Sequence, residues 1–400
     1  LRLPIAVDER AENRFFAVVY GGFFFMGVGT VLLGPLLPEL RARWDLSAAQ
    51  AGSLFVAQFV ASSLGAVFSS FHLRWSLIVS YAAAGAGLLL LAFGGWSTAW
   101  IALALIGLGL GLGAPATNLL VAARYTLRRG AALARANLVW GIGAVTCPLL
   151  FAALLGRLPT SWILLGMSWP TVAVAGALAV VPAPRYAGGG PADDAAPAAD
   201  AQGTPPAASV SMFQGMLRLV PAAAMMFFYV GIETTFSGWL VSLAEQLHPG
   251  HETLALLVGA CFWAAFLSGR AFAPWALRYL SEPGLFWVTM GVAAVGTVVI
   301  LLSGPLGLLA VGAALTGAGL SPIFPLVASI IATESEASGS RGGGWPFAFA
   351  GIGGAVLPWI AGDIADHYGS LTPGFLVSLA GLAGLAAVLF TYRRLSQRWE

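Results

Sequence analysis

The sequence predicts an all-α integral membrane protein of twelve transmembrane helices in two six-helix halves. Three observations carry that reading: the composition, the spacing of charge-poor runs and one long polar interruption at the middle of the chain. Of 400 residues 58% are hydrophobic and only 9% charged, against roughly 25% charged in an ordinary soluble domain. Too few charges remain to cover a water-facing surface of this length, so lipid is the default solvent for most side chains.

A bilayer core about 30 Å thick needs roughly 20 apolar residues in a helix. Twelve runs meet that requirement: Phe15 to Leu37, Ala51 to Phe71, Trp75 to Gly95, Ala99 to Ala123, Ala136 to Leu155, Trp162 to Val181, Leu219 to Ala244, Leu254 to Leu277, Leu285 to Leu302, Leu306 to Ala332, Gly342 to Gly362 and Leu371 to Tyr392. Between the sixth and seventh lies Pro182 to Val210, rich in Ala, Gly and Pro without apolar periodicity, which reads as a flexible linker in water. The expected organisation is therefore a bundle over 1–181, a linker over 182–210 and a second bundle over 211–400.

Charge sets the orientation. All 19 basic residues are arginines, and placing the amino terminus in the cytoplasm leaves only Arg41, Arg43 and Arg157 outside. The positive-inside bias thus puts both termini and the linker in the cytoplasm, as expected of a protein of a bacterial inner membrane. A net charge of +2 gives no footing for a nucleic-acid partner. Cys147 and Cys261 sit in apolar runs without zinc-ligand or disulfide spacing and read as small buried hydrophobes. His72 and His367 stand apart, and His248 and His251, beside Glu245 and Glu252, are weak metal candidates in a loop. No metal or cofactor is expected.

The halves echo each other. Gly141-Ile-Gly143 with Pro148 in the fifth run returns 210 positions later as Gly351-Ile-Gly353 with Pro358 in the eleventh, as a duplicated six-helix unit predicts. Two such halves joined by a long linker resemble the major facilitator superfamily over essentially the whole chain. Five local motifs resemble its fucose and glucose permease branch: Gly107 to Asn118 (GLGLGLGAPATN), Tyr229-Val-Gly-Ile-Glu233, Phe262-Trp263 with Gly269-Arg270, Gly319 to Pro325, and Gly353 to Pro358. The resemblance implies a sugar transporter working by alternating access, with protons as the usual coupling ion.

Departures from the family pattern matter too. The usual Asp and Gly-Arg pair after the second helix is replaced by Ser69, His72 and Leu73 behind Gly65, so the cytoplasmic gate must be latched differently. The drug exporters' glycines around the fifth-helix proline are missing, since Cys147 precedes Pro148 and Leu149 follows. The acids that the fucose permease carries in its first and fourth helices have no counterpart here either.

Polar groups at bilayer depth cost several kcal/mol unless partnered or wet, so each is a candidate lining residue. Glu233 is the carboxylate nearest mid-membrane and is expected to bind substrate and carry the coupling proton; the bland alternative is a structural or permanently protonated Glu. Gln58, Asn118 and Asn137 offer donors and acceptors that suit sugar hydroxyls, or serve as interhelical bonds. Trp140 and Trp263 offer ring faces for sugar C–H groups. Arg270 is a gating candidate, with Glu334 as a possible partner, while Arg124, Arg128, Arg129 and Arg135 read as a solvated topology cluster and Asp363 and Asp366 as solvated. The expected partners are a small-molecule substrate, most simply a sugar, protons and the lipid bilayer, with the chain acting as a monomer. An exporter of amphipathic compounds and an uncoupled sugar uniporter remain the alternatives. A membrane enzyme would need a metal or nucleophile cluster, for which the sequence offers no pattern.

Overall fold

The computed structural model describes residues 9–70, 72–125, 128–182, 212–337 and 345–396. Among them twelve helices are long and apolar enough to cross a membrane. The spans match the twelve charge-poor runs one for one, because length and continuous apolarity are all that a bilayer demands of a helix. The linker, Pro182 excepted, lies outside the described residues.

In chain order the helices are α1 (Glu9–Val31), α2 (Leu33–Trp44), α3 (Ala48–Phe68), α4 (Leu73–Phe93), α5 (Trp96–Arg124), α6 (Arg129–Leu154) and α7 (Thr160–Val180). After the linker follow α8 (Met212–Leu247), α9 (Glu252–Ala276), α10 (Glu282–Leu302), α11 (Leu306–Leu320), α12 (Ile323–Ala337), α13 (Trp345–Tyr368) and α14 (Leu376–Ser396). Two expected helices are each broken in two. The first run does not end at Leu37 but breaks at Leu32 and continues to Trp44, since Pro35 has no N–H for the Val31 carbonyl and its ring crowds that oxygen. The tenth breaks at Ser321 and Pro322, where Pro322 and Pro325 withhold the i→i−4 bonds to the Ala318 and Ser321 carbonyls in the same way.

The contacts sort the chain into two compact units. One comprises Leu1–Thr30, Ala61–Ala144 and Gly156–Gly203; the other comprises Val31–Val60, Val145–Leu155 and Thr204–Glu400. The boundary crosses α1, α3 and α6 within the helices themselves, at 30/31, 60/61 and 144/145, and also passes through the turn after α6.

In the first unit a core of Phe15, Phe16, Val19, Phe23, Leu77, Tyr81, Leu120 and Leu178 joins α1, α4, α5 and α7. Arg74, at the start of α4, closes the end of α7. Its guanidinium donates to the carbonyls of Leu178 (3.0 Å), Ala179 (2.9 Å) and Val181 (3.2 Å), acceptors that a helix C-terminus otherwise leaves to water. Arg124 is likewise more than a solvated charge. It pairs with Glu12 at 3.3 Å, donates to Asn13 at 2.6 Å and lies 4.2 Å over the Phe16 ring, tying the end of α5 to the start of α1.

The second unit is held by α8 against α13, α9 and α10 against α11, and α2 against α8. Its core is aromatic, with Phe236, Phe262, Trp263, Phe266 and Phe375 in stacked, edge and tilted contacts. Cys147 is buried, whereas Cys261 is exposed on the outside of α9, contrary to its reading as buried. The reason is that a run of apolar residues does not say which stripe of the helix faces lipid.

Candidate functional site

The first and seventh spans carry related eight-residue stretches 204 positions apart, identical at four of the eight places. Phe23-Phe-Phe-Met-Gly-Val-Gly-Thr30 matches Phe227-Phe-Tyr-Val-Gly-Ile-Glu-Thr234. The shared glycines do the same physical work in each half. A Cβ on Gly27 would strike the carbonyl of Trp140 on α6, and one on Gly231 would come within 2.8 Å of the carbonyl of Gly353 on α13. In reverse, Gly143 and Gly353 face the carbonyls of Phe24 and Phe227. Gly65 and Gly269, also 204 apart, each sit where a Cβ would lie 2.7 Å from a carbonyl, of Leu108 on α5 and of Ala318 on α11. Small residues at these crossings let backbones meet, the usual basis of helix packing in lipid.

The repeat isolates what one half has and the other lacks. Glu233 corresponds to Gly29, Tyr229 to Phe25 and Arg270 to Ala66. Tyr229 and Glu233 are four residues apart and share one face of α8, in the middle of a span that runs from Met216 to Leu247. Arg270 on α9 interacts electrostatically with both, its guanidinium carbon 4.8 Å over the Phe266 ring.

Several polar atoms here are left over. Tyr229 is 1% exposed and Ser321, at the break between α11 and α12, is fully buried. Although Tyr229 lies in the field of Glu233 and Arg270, no hydrogen bond of sound geometry reaches its hydroxyl. Neither Ser321 Oγ nor Arg270 Nε has a hydrogen-bond partner either. Gly269 brings these elements together, because its missing side chain lets Ser321 Oγ approach to 2.8 Å of where a Cβ would stand. Phe324, at the start of α12, packs on the Tyr229 ring with centroids 5.9 Å apart. Buried polar atoms are satisfied in the great majority of cases, so the unused hydroxyls of Tyr229 and Ser321 and the unused Nε of Arg270, in the company of the Glu233 carboxylate, form a site that a polar ligand or water would complete.

The other expected residues fall as follows. Gln58 belongs to the second unit, 2% exposed, with its Oε1 unbonded. Trp263, also in the second unit, is 3% exposed and packs on Phe262 and Phe266 at 5.4 and 5.1 Å. Asn118, Asn137 and Trp140 belong to the first unit. Asn118 Oδ1 is buried without a partner, while Asn137 spends its amide N–H on the carbonyl of Leu133, 2.9 Å away in its own helix. Near Asn118, the hydroxyls of Tyr81 and Thr117 are also buried and unbonded, and Tyr81 and Gly29 border a cavity of about 20 Å³, room for one water. Glu334 accepts from the Tyr392 hydroxyl at 2.8 Å, and Arg270 has Glu233 for its charged neighbour. His248 meets the Gly304 carbonyl at 2.7 Å.

Sequence reasoning singled out Glu233 and Arg270 but passed over Tyr229 as a binding group, although its place four residues before Glu233 announces a shared face. Ser321 carried no signal beyond standing next to Pro322.

Known proteins supply the context. The sequence profile of the Major Facilitator Superfamily matches residues 19–240. The Mus musculus sodium-dependent glucose transporter 1A is 27% identical over 167 residues, which span 41% of this chain and 38% of that relative's length. Among solved structures, a nucleoside transporter superposes with a TM-score of 0.72 at 10% identity, covering 95% of this chain and 99% of its own. A bacterial homologue of the human lysosomal transporter Spinster gives 0.68 at 12% identity over 96% of each chain. The E. coli fucose:proton symporter gives 0.61 at 17% identity, over 94% of this chain and 98% of its own. At these identities the superpositions speak for the fold, and together with the profile they lead to one conclusion: this twelve-span chain belongs to the major facilitator superfamily of membrane transporters.

Proposed function

We propose that the chain imports a sugar-like, hydroxyl-rich solute together with a proton across a bacterial inner membrane. Both termini and the 182–210 linker face the cytoplasm, and six-helix bundles over 1–181 and 211–400 alternate in access. One observation carries the reading: Glu233 lies within a span beside Tyr229, whose hydroxyl is unbonded, and Arg270, whose Nε is unbonded, with the unbonded Ser321 hydroxyl against the neighbouring Gly269. A hydroxyl that both gives and accepts hydrogen bonds is the ligand such a set satisfies, and an amphipathic drug leaves it unsatisfied. Gln58 and Asn118 add amide oxygens without partners, and Asn137, Trp140 and Trp263 complete the proposed contacts. The relatives' names, a glucose, a fucose and a nucleoside transporter, support a polar solute of this size.

Protonated, Glu233 donates to a substrate hydroxyl; deprotonated, it turns to Arg270. Proton and sugar then favour each other's binding, and the linkage is reciprocal. A second reading is uniport, favoured by the Arg270 charge beside Glu233 and by the apolar residues at the matching places of the first half. Uptake into proteoliposomes with and without an inward proton gradient separates the two, using radiolabelled sugars chosen by thermal shift. Symport predicts accumulation above equilibrium that Glu233→Gln abolishes, with exchange at equilibrium preserved. Wild-type uptake that never exceeds equilibrium rejects coupling. A thermal shift given by amphipathic compounds and by no sugar rejects the substrate class.

A further inference from the structure

The loop between α2 and α3 joins the end of the first span to the start of the second. There α3 begins with an unusually complete set of caps. Ser47 and Gln50 form a reciprocal pair: the Ser47 N–H donates to Gln50 Oε1 at 2.9 Å, and the Gln50 N–H to Ser47 Oγ at 3.2 Å. The Ala51 N–H makes the first intrahelical bond, to the Ser47 carbonyl. Two donors remain, those of Ala48 and Ala49, and both point at a carboxylate 318 and 317 residues away. Asp366 Oδ1 accepts from Ala48 and Asp366 Oδ2 from Ala49, each at 2.7 Å.

The surroundings hold α3 and α13 at contact distance. A Cβ on Gly52 would stand 3.1 Å from Cα of Trp359, and one on Gly362 would strike the Ala48 carbonyl. Arg41 adds a positive charge near Asp366 and lies 5.9 Å over the ring of Trp239. A carboxylate on a helix N-terminus is favoured by the dipole and by charge-assisted hydrogen bonds. Asp366 is nevertheless exposed, so water replaces the carboxylate at small cost. This is the energetic profile of a contact that opens and closes: directional when made and cheap to break.

We propose that Asp366 is a releasable latch, a positioning residue that caps α3 while α3 and α13 are together and frees it when they part. The inference rests on alternating access and not on which solute is carried. It reassigns an acid whose sequence context gives only a solvated helix end.

The test needs no substrate. In purified full-length protein with Cys147 and Cys261 replaced by alanine, a cysteine at the buried position Ala51 is labelled with a soluble maleimide, with His251→Cys as an exposed control and Ala222→Cys as a buried control in α8 away from the latch. Asp366→Ala is expected to speed labelling of position 51 about tenfold, and Asp366→Asn, which keeps one good acceptor, severalfold. Ala48→Pro removes one donor at a helix position that accepts proline; it is expected to act like Asp366→Asn and to add nothing in the Asp366→Ala background. Position 222 should not change. Labelling of position 51 within twofold of the parent in Asp366→Ala overturns the latch, as does an equal acceleration at position 222, which signals general loosening.

Discussion

The indole N–H of Trp239 on α8 donates to the carbonyl oxygen of Pro358 on α13 at 2.8 Å, and the ring is 1% exposed. A buried indole needs a partner for its one donor, and the partner here stands 119 residues away in the strip where α13 also meets α3. The bond fixes Trp239 as part of the framework, with Phe55 at 6.2 Å on its ring.

Replacing Trp239 by Phe should keep most of the packing and lose the hydrogen bond, a cost of about 1 kcal/mol. Trp239→Ala, which leaves a cavity, should cost about 3 to 5 kcal/mol. Thermal unfolding in detergent ranks them; an Ala variant as stable as Phe would show that the ring contributes little, and a Phe variant as stable as wild type that the bond does.

The glycine crossings predict matched penalties in the two halves. Gly353→Ala drives a methyl onto the Phe227 carbonyl and Gly143→Ala drives one onto that of Phe24, so each should destabilise by about 1 to 3 kcal/mol through overpacking. Gly21 and Gly176 have open space where a Cβ would go, and alanine there should be neutral or stabilising by up to about 1 kcal/mol, as helix propensity gives. Melting points of the four variants check this, and a loss at Gly21 as large as at Gly353 would contradict it.

Arg74 should be replaceable by Lys only in part. An ammonium cannot span the carbonyls of Leu178, Ala179 and Val181 as the planar guanidinium does. Arg74→Ala is expected to lose about 1.5 to 3 kcal/mol and Arg74→Lys an intermediate amount. The order of the melting temperatures is the observable, and a Lys variant as stable as wild type would argue that charge alone matters.

How much of this could be read without coordinates differs by residue. The twelve spans follow from apolar length, and Glu233 stands out because a carboxylate in the middle of an apolar run is costly wherever the helix packs. Pro35 and Pro322 announce breaks only to a reader who weighs each proline against a run that looks continuous. Arg74 carries no signal in the sequence and Asp366 reads there only as a solvated acid, for a shared reason. Their partners are backbone groups 104 and 318 residues away, and a backbone N–H or carbonyl has no letter in the sequence. Tyr229 lies between: its spacing from Glu233 is visible, but that its hydroxyl is unbonded is a property of the packed bundle.

The repeated glycines change what comparing one half with the other can reveal. Instructions for bringing helices together are written twice in this chain, at Gly27 and Gly231, Gly65 and Gly269, and Gly143 and Gly353. The letters for Glu233, Tyr229 and Arg270 are written once, over Gly29, Phe25 and Ala66. Subtracting one copy from the other therefore filters architecture from chemistry within a single molecule, with no second protein needed. An engineer who wished to move the carboxylate to the opposite half has an address for it, Gly29, where the same helix crossing already exists and only the side chain is missing.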